Sequence, residues 1–114
     1  MSDIKTFNLK EGMPILEEAR QRLSAALTHA RQKKLPAIKL IHGYGSSGVG
    51  GVLQIGIRKS LRKRRKKGEI RQYIFGENWS IFDETSREAI EEYPSLRKDS
   101  DLDRGNDGIS IVIL

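Results

Sequence analysis

Ala37-Ile38-Lys39-Leu40-Ile41-His42-Gly43-Tyr44-Gly45-Ser46-Ser47-Gly48-Val49-Gly50-Gly51 is the stretch from which the rest of the chain can be read. Ile38, Leu40 and Ile41, aliphatic or β-branched with Lys39 set among them, begin it as a buried strand. The strand breaks into a loop with glycines at 43, 45, 48, 50 and 51. Val52, Leu53, Ile57 and Leu61 then recur at near-helical spacing and predict a helix. A strand, a glycine-rich turn and a helix start together make an anion-binding device. Turn N–H groups and the positive end of the helix dipole converge on one spot, and glycine lets the backbone come close to the ligand. The simplest ligand for it is a phosphate.

Outward from that stretch, the helix is predicted from Gly50 to near Lys67, ending at Gly68. Its second half belongs to a basic run with nine Lys and Arg between Arg58 and Arg71. Ile70 to Phe75 reads as a third strand and Gly108 to Leu114 as a fourth. Upstream, Lys5 to Leu9 is a short strand with Phe7 and Leu9 on one face. Pro14 opens a helix whose apolar stripe, Leu16, Ala19, Leu23, Ala26, Leu27 and Ala30, runs to near Lys33 before Pro36 ends it. The order is β-α-β-α-β-β, an α/β chain. Crossover connections make the first three strands parallel and leave an antiparallel direction open for the last. This is a two-layer sandwich on a four-stranded mixed sheet, and 114 residues make one domain, 1–114.

Gly76 to Asp103, the insertion before the last strand, is the odd piece. It holds the only Trp, a short helix at Glu84 to Tyr93 and the acidic stretch Lys98-Asp99-Ser100-Asp101-Leu102-Asp103. Trp79, Phe82 and Tyr93 read as a satellite core. The acidic tail reads as solvated, or as folding back on the basic helix to compete with an anionic ligand. On that reading, removing Trp79–Asp103 should keep the fold and tighten binding.

A net charge of +6 and a mean hydropathy of −0.53 describe a charged, soluble domain that favours anionic partners. No apolar run approaches a membrane span, and Met1-Ser2-Asp3-Ile4-Lys5 lacks a signal-peptide core. The absence of cysteine excludes disulfides and thiolate metal sites and suits the cytoplasm. No metal site is expected.

Ile41-His42-Gly43-Tyr44-Gly45 with Gly48, the basic helix that follows, and the closing Gly105-Asn106-Asp107-Gly108-Ile109-Ser110-Ile111-Val112-Ile113-Leu114 together resemble the small MutS-related (Smr) domain family. The first is similar to its I-H-G-x-G signature and the last to its G-x-G-V-T-I-V-x-L ending. The resemblance implies a two-layer fold like the C-terminal domain of a bacterial translation initiation factor. It also implies binding of structured DNA or RNA, the ribosome included, and in some members nicking. Where cleaving members carry Asp and His in Leu-Asp-Leu-His-Gly, this chain has Phe7-Asn8-Leu9-Lys10-Glu11-Gly12. Asn8 offers no proton-accepting charge, and the expected nuclease activity is negligible.

Other readings of the same residues differ in what they require. Gly43, Gly45 and Gly48 fit the dinucleotide pattern G-x-G-x-x-G, but a basic helix stands where that fold needs an acidic residue after the next strand. A mononucleotide loop needs Lys-Ser/Thr after Gly48, where Val49-Gly50 stands. The expected nucleic-acid site therefore comprises Lys10, His42, Gly43, Tyr44, Gly45, Ser46, Ser47 and Gly48. It continues along the helix with Arg58, Arg62, Lys63, Arg64, Arg65, Lys66 and Lys67. Tyr44 is a candidate for stacking on bases. His42 is read as shaping the loop or touching phosphate, with proton transfer as its catalytic alternative. The rival functions are a structure-selective endonuclease, which would call for magnesium, and a ribosome-associated module without chemistry. No cofactor, no membrane partner and a monomer or weak dimer complete the expectation.

Overall fold

The computed structural model of the chain describes residues 4–44 and 49–114. Its elements are β1 (Lys5–Asn8), α1 (Leu16–Gln32), β2 (Ala37–Ile41), α2 (Val49–Lys66), β3 (Gln72–Phe75), α3 (Glu84–Glu92) and β4 (Ile109–Ile113). Short 3-10 turns at Gly76–Asn78 and Pro94–Lys98 flank α3. The sheet order is β1-β2-β4-β3. β1 and β2 pair in parallel, while β4 runs antiparallel to both β2 and β3. The first three strands thus share one direction, as expected. The last strand slots between β2 and β3, giving the expected α/β fold on a mixed sheet.

Strand alternation sorts the side chains to two faces. Phe7, Leu9, Ile38, Leu40, Tyr73, Phe75 and Val112 meet Ala19, Leu23, Leu27, Leu53, Ile57 and Leu61 of α1 and α2. The opposite face presents Ala37, Ile41, Ile74, Ile109, Ile111 and Ile113 to Trp79, Ala89, Ile90 and Leu96 of the insertion. β2 and β4 are covered on both sides, which is why their sequences read as nearly continuous apolar runs.

α1 and α2 lie side by side and point the same way. Leu16 meets Gly56, Ser24 bonds Arg64, and Arg31 bonds the Glu69 carbonyl. At the first of these a Cβ on Gly56 would fall 2.4 Å from Leu16 Cδ1, so the helices approach closely there. Their N-termini sit at the edge of the sheet where β1, β2 and β3 end, and their C-termini share the far end.

The insertion corrects the sequence reading. Trp79 is fully buried as a satellite core requires, and Tyr93 packs at its margin, but Phe82 is 87% exposed and belongs to no core. Of the acidic stretch, Lys98, Ser100 and Asp103 are exposed as expected, but Asp99 and Asp101 are neither freely solvated nor folded on the basic helix. Asp99 and Asp101 instead hold Lys39, which projects from the middle of β2 into the second core, at 2.9 and 2.7 Å. Trp79 Nε1 donates to Asp99 at 3.1 Å, and Asn106 Nδ2 donates to Asp101 at 3.0 Å. Burial alone would lower the Lys39 pKa, but the hydrogen bonds it donates to Asp101 and Asp99 outweigh it and hold the ammonium above its ordinary value. Removing Trp79–Asp103 would uncover Ile41, Ile74, Ile109, Ile111 and Ile113 and strip Lys39 of both its carboxylates, so the insertion is part of the fold.

Candidate nucleic-acid interface

At the edge where the three parallel strands end, three connections come together: β1 to α1, β2 to α2, and the turn leading into β4. Loops at this edge are the usual ligand position of α/β sheets. Asn8 Oδ1 accepts from the Lys10 N–H at 3.1 Å, an Asx turn that sets the first connection. Arg22 reaches over from α1 and donates to the carbonyls of Leu9 and Glu11 at 3.2 and 2.7 Å. The amide of Asn8 is therefore a turn-former here, and the Lys10 side chain above it is exposed.

The second connection is pinned from inside. The N–H groups of His42 and Gly43 both donate to the Gly108 carbonyl at 3.0 Å. His42 is fully buried: Nδ1 lies 2.8 Å from the Gly43 carbonyl and Nε2 lies 2.9 Å from Ser110 Oγ. A carbonyl only accepts, so Nδ1 carries the proton and Nε2 accepts from the Ser110 hydroxyl, a tautomer assigned from the bonding pattern. Burial lowers the His42 pKa below its ordinary value and so favours the neutral ring, against the raising effect of the Gly43 carbonyl. Both nitrogens are engaged inside the protein. This geometry suits shaping the loop, and a phosphate contact or proton transfer would first have to break one of the two bonds. Gly43 has φ +82°, a conformation glycine adopts at no steric cost, and a Cβ there would meet the Lys10 stem at 3.3 Å. Tyr44 is 57% exposed with its ring edge beside Gly108. Gly45, Ser46, Ser47 and Gly48, the tip of the predicted cradle, lie outside the described residues.

The basic run divides. Arg58 donates twice to Glu77 at 2.6 and 2.8 Å, with its guanidinium 4.3 Å from the Phe75 ring centre. Burial would raise the Glu77 pKa, and the Arg58 bonds outweigh it and lower it. Arg62 stands 5.2 Å from the same ring. Arg64 bonds Glu69 and Ser24, and Arg71 bonds Glu92. Lys59, Lys63, Arg65, Lys66 and Lys67 are exposed and carry no ion-pair partner among the described residues. The predicted site is thus brought together in two groups rather than one. Lys10, His42, Gly43 and Tyr44 cluster at the loop edge, while Lys63 to Lys67 stand at the far end of α2. Arg58 and Arg64 are turned to internal contacts.

Sequence reading missed Ser110, Arg22 and Lys39. It also missed Gln54, which bonds the Asp107 carbonyl at 2.8 Å and ties α2 to the turn before β4. Lys39 alone left a signal, as the single charge in an apolar strand of a chain that also carries a compact acidic stretch. Among the described residues no group of three or more His, Asp or Glu is placed to hold a metal ion, and no helix is long and apolar enough to cross a membrane.

A small α/β domain with its loops gathered at one edge of a mixed sheet and a cationic helix beside them is a recognisable class of fold. Residues 12–77, more than half the chain, match the Smr domain model, and the chain belongs to the Smr domain family, whose members are nucleic-acid-binding and nuclease-like. The fold is similar to the crystal structure of the Smr domain of Thermus thermophilus MutS2, with a TM-score of 0.59 and 22% identity, covering 96% of each chain. At that identity the likeness speaks for the fold alone. No curated protein matched the chain. The family match begins after Asn8 and Lys10 and stops before the closing strand.

Proposed function

We propose that this Smr domain binds structured nucleic acid through its phosphates, using the connection from β2 to α2 and the outward cations at and just beyond the end of α2, and that it does so without cleaving. One observation carries the reading. Among the described residues Lys59, Lys63, Arg65 and Lys66 of α2, and Lys67 just beyond it, carry no ion-pair partner, while the neighbouring acids Glu69, Glu77 and Glu92 are engaged by other arginines. Like charges packed at helical spacing repel, and a polyanion relieves that repulsion while releasing its own counterions. Tyr44, exposed beside Gly108, adds a face on which an unpaired base could stack.

Counterion release gives the test. Changing Lys63, Arg65, Lys66 and Lys67 to Ala together should flatten the slope of log K against log salt on duplex DNA by about 3 to 4 units, at ~0.9 per phosphate. Fluorescence anisotropy across a salt series measures it. An unchanged slope would mean that these cations are only a solvated helix face.

A further inference from the structure

β1 stands at one edge of the sheet and pairs only with β2. The Leu9 N–H donates to the Ile41 carbonyl at 2.8 Å, so the backbone groups of Phe7 and Lys5 face β2 as well. The same alternation turns the N–H and C=O groups of Thr6 and Asn8 outward, open to a further strand.

Beside this open edge runs a groove of about 430 Å³. Phe7 and Leu9 wall it from the strand, and Ala25 and Ala26 wall it from α1. Helical spacing puts Arg22, Ala25 and His29 on the side of α1 away from Ser24 and Arg31, which reach across to Arg64 and Glu69. Arg22 closes one end of the groove beside the Leu9 carbonyl, and His29 closes the other beside Lys5. No Asp or Glu lines it. Lys5 begins the strand and Lys10 lies just past it, both exposed. Arg22 Nη1 is occupied by the Leu9 and Glu11 carbonyls, while Nη2 makes no bond among the described residues.

An open edge is ordinarily a hazard, and a short strand bordered by lysine is a common guard against it. The guard here is selective by charge. A second copy of this chain, at net charge +6, would set Lys5 and Arg22 against like charges, whereas an acidic segment meets opposite ones.

We propose that the groove between β1 and α1 docks an extended acidic peptide segment of another protein, which adds a strand beyond β1 and lays an apolar side chain in the groove. Main-chain bonds to Thr6 and Asn8 supply affinity, while the apolar walls and the flanking cations select the sequence. The site is distinct from the cations of α2 and does not depend on the nucleic-acid reading.

The experiment titrates the full, isotopically labelled chain with a set of peptides of about eight residues, the length of one strand. Each peptide carries a central Val, Leu, Ile or Phe between threonines, with glutamates at both ends. At least one should bind, shifting amides at 5–9 and 22–29 and slowing hydrogen exchange at Thr6 and Asn8. N-methylation of every second peptide nitrogen, made in both registers, should weaken binding by about tenfold in one register only. Ala25→Glu, at an exposed helix position, should weaken it by about fivefold or more with an unchanged thermal midpoint. Thr6→Pro, which removes an outward N–H from an edge strand, should cost about fivefold. Failure of every peptide to bind, equal binding in both registers, or shifts confined to α2 overturns the proposal. So does a dimer that dissociates on Thr6→Pro, which would give the edge to a second copy. A nucleic acid that shifts the groove amides while every peptide fails would give the groove to the polyanion and overturn it too.

Discussion

Lys39 and Lys63 carry the same side chain under opposite conditions. Lys39 projects from the central strand into the core beneath the insertion, where two aspartates, a tryptophan and an asparagine close a bonded cluster around it. Lys63 stands on the outer side of α2 among other cations, with water as its surroundings. A charge inside a protein is tolerable only when paired and fully hydrogen-bonded, whereas a charge outside is cheap to leave unpaired. The two regions therefore answer to different demands. The cluster around Lys39 is constrained by folding, and the cations of α2 are left open to a ligand. Substitutions should separate the two cleanly.

The largest effect belongs to the buried region. Lys39→Ala strands Asp99 in an apolar core and should lower unfolding free energy by about 3–5 kcal/mol, the usual cost of breaking a buried pair from one side. Chemical denaturation measures it. A loss as small as that of a surface residue would mean the aspartates reach water unaided, and the contrast with α2 would collapse. The cluster also sets a pH range. Burial would raise the Asp101 pKa, but the Lys39 and Asn106 bonds outweigh it and lower it. Its contribution is present above the ordinary carboxylate value and is lost as pH falls through the depressed one. That of Lys39, whose pKa is raised, is complete below the ordinary lysine value and lost as pH rises through the higher one.

A middle-sized effect lies at the loop edge, where buried His42 is bonded to Ser110 of β4. Ser110→Ala removes the donor to Nε2 and leaves a buried acceptor unsatisfied, at a cost of about 1–3 kcal/mol. Because burial lowers the His42 pKa, the unfolded chain takes up its proton first as the solution is acidified. The stability tied to the neutral ring is thus whole above pH 6.5 and declines as pH falls through the depressed value. Denaturation midpoints of the parent across that range should show the decline. A parent whose stability is flat there, or an Ala variant as stable as the parent, would place His42 in contact with water and reopen a role in proton transfer.

How much of this could be read from the sequence follows the range of the interactions. Helices α1 and α2 were legible because their apolar stripes repeat within a few residues, and β2 and β4 because both faces are apolar. The glycine loop announced itself by composition. The partners of the charges were not legible. Lys39 meets Asp101 across 62 positions, and Arg58 meets Glu77 across 19. Both pairings depend on sheet order, and nothing local states that β4 lies between β2 and β3. The acidic stretch looked solvated because local charge density describes a surface, whereas its role is fixed by one lysine far upstream. Arg58 and Arg64 looked like part of an open basic run for the same reason.

The smallest effect on stability is expected where the proposed effect on binding is large. Lys63→Ala/Lys66→Ala removes two exposed cations that bond nothing among the described residues, so no buried group is left unsatisfied. Surface changes of this kind stay within about 0.5 kcal/mol. The sign should favour the variant, since alanine is the better helix former and two like-charge repulsions at helical spacing disappear. Weaker nucleic-acid binding together with an unchanged or slightly higher thermal midpoint would assign these lysines to the ligand. A clear drop in the midpoint would instead make them part of the fold, as Lys39 is, and the difference between the two lysines would no longer separate folding from binding.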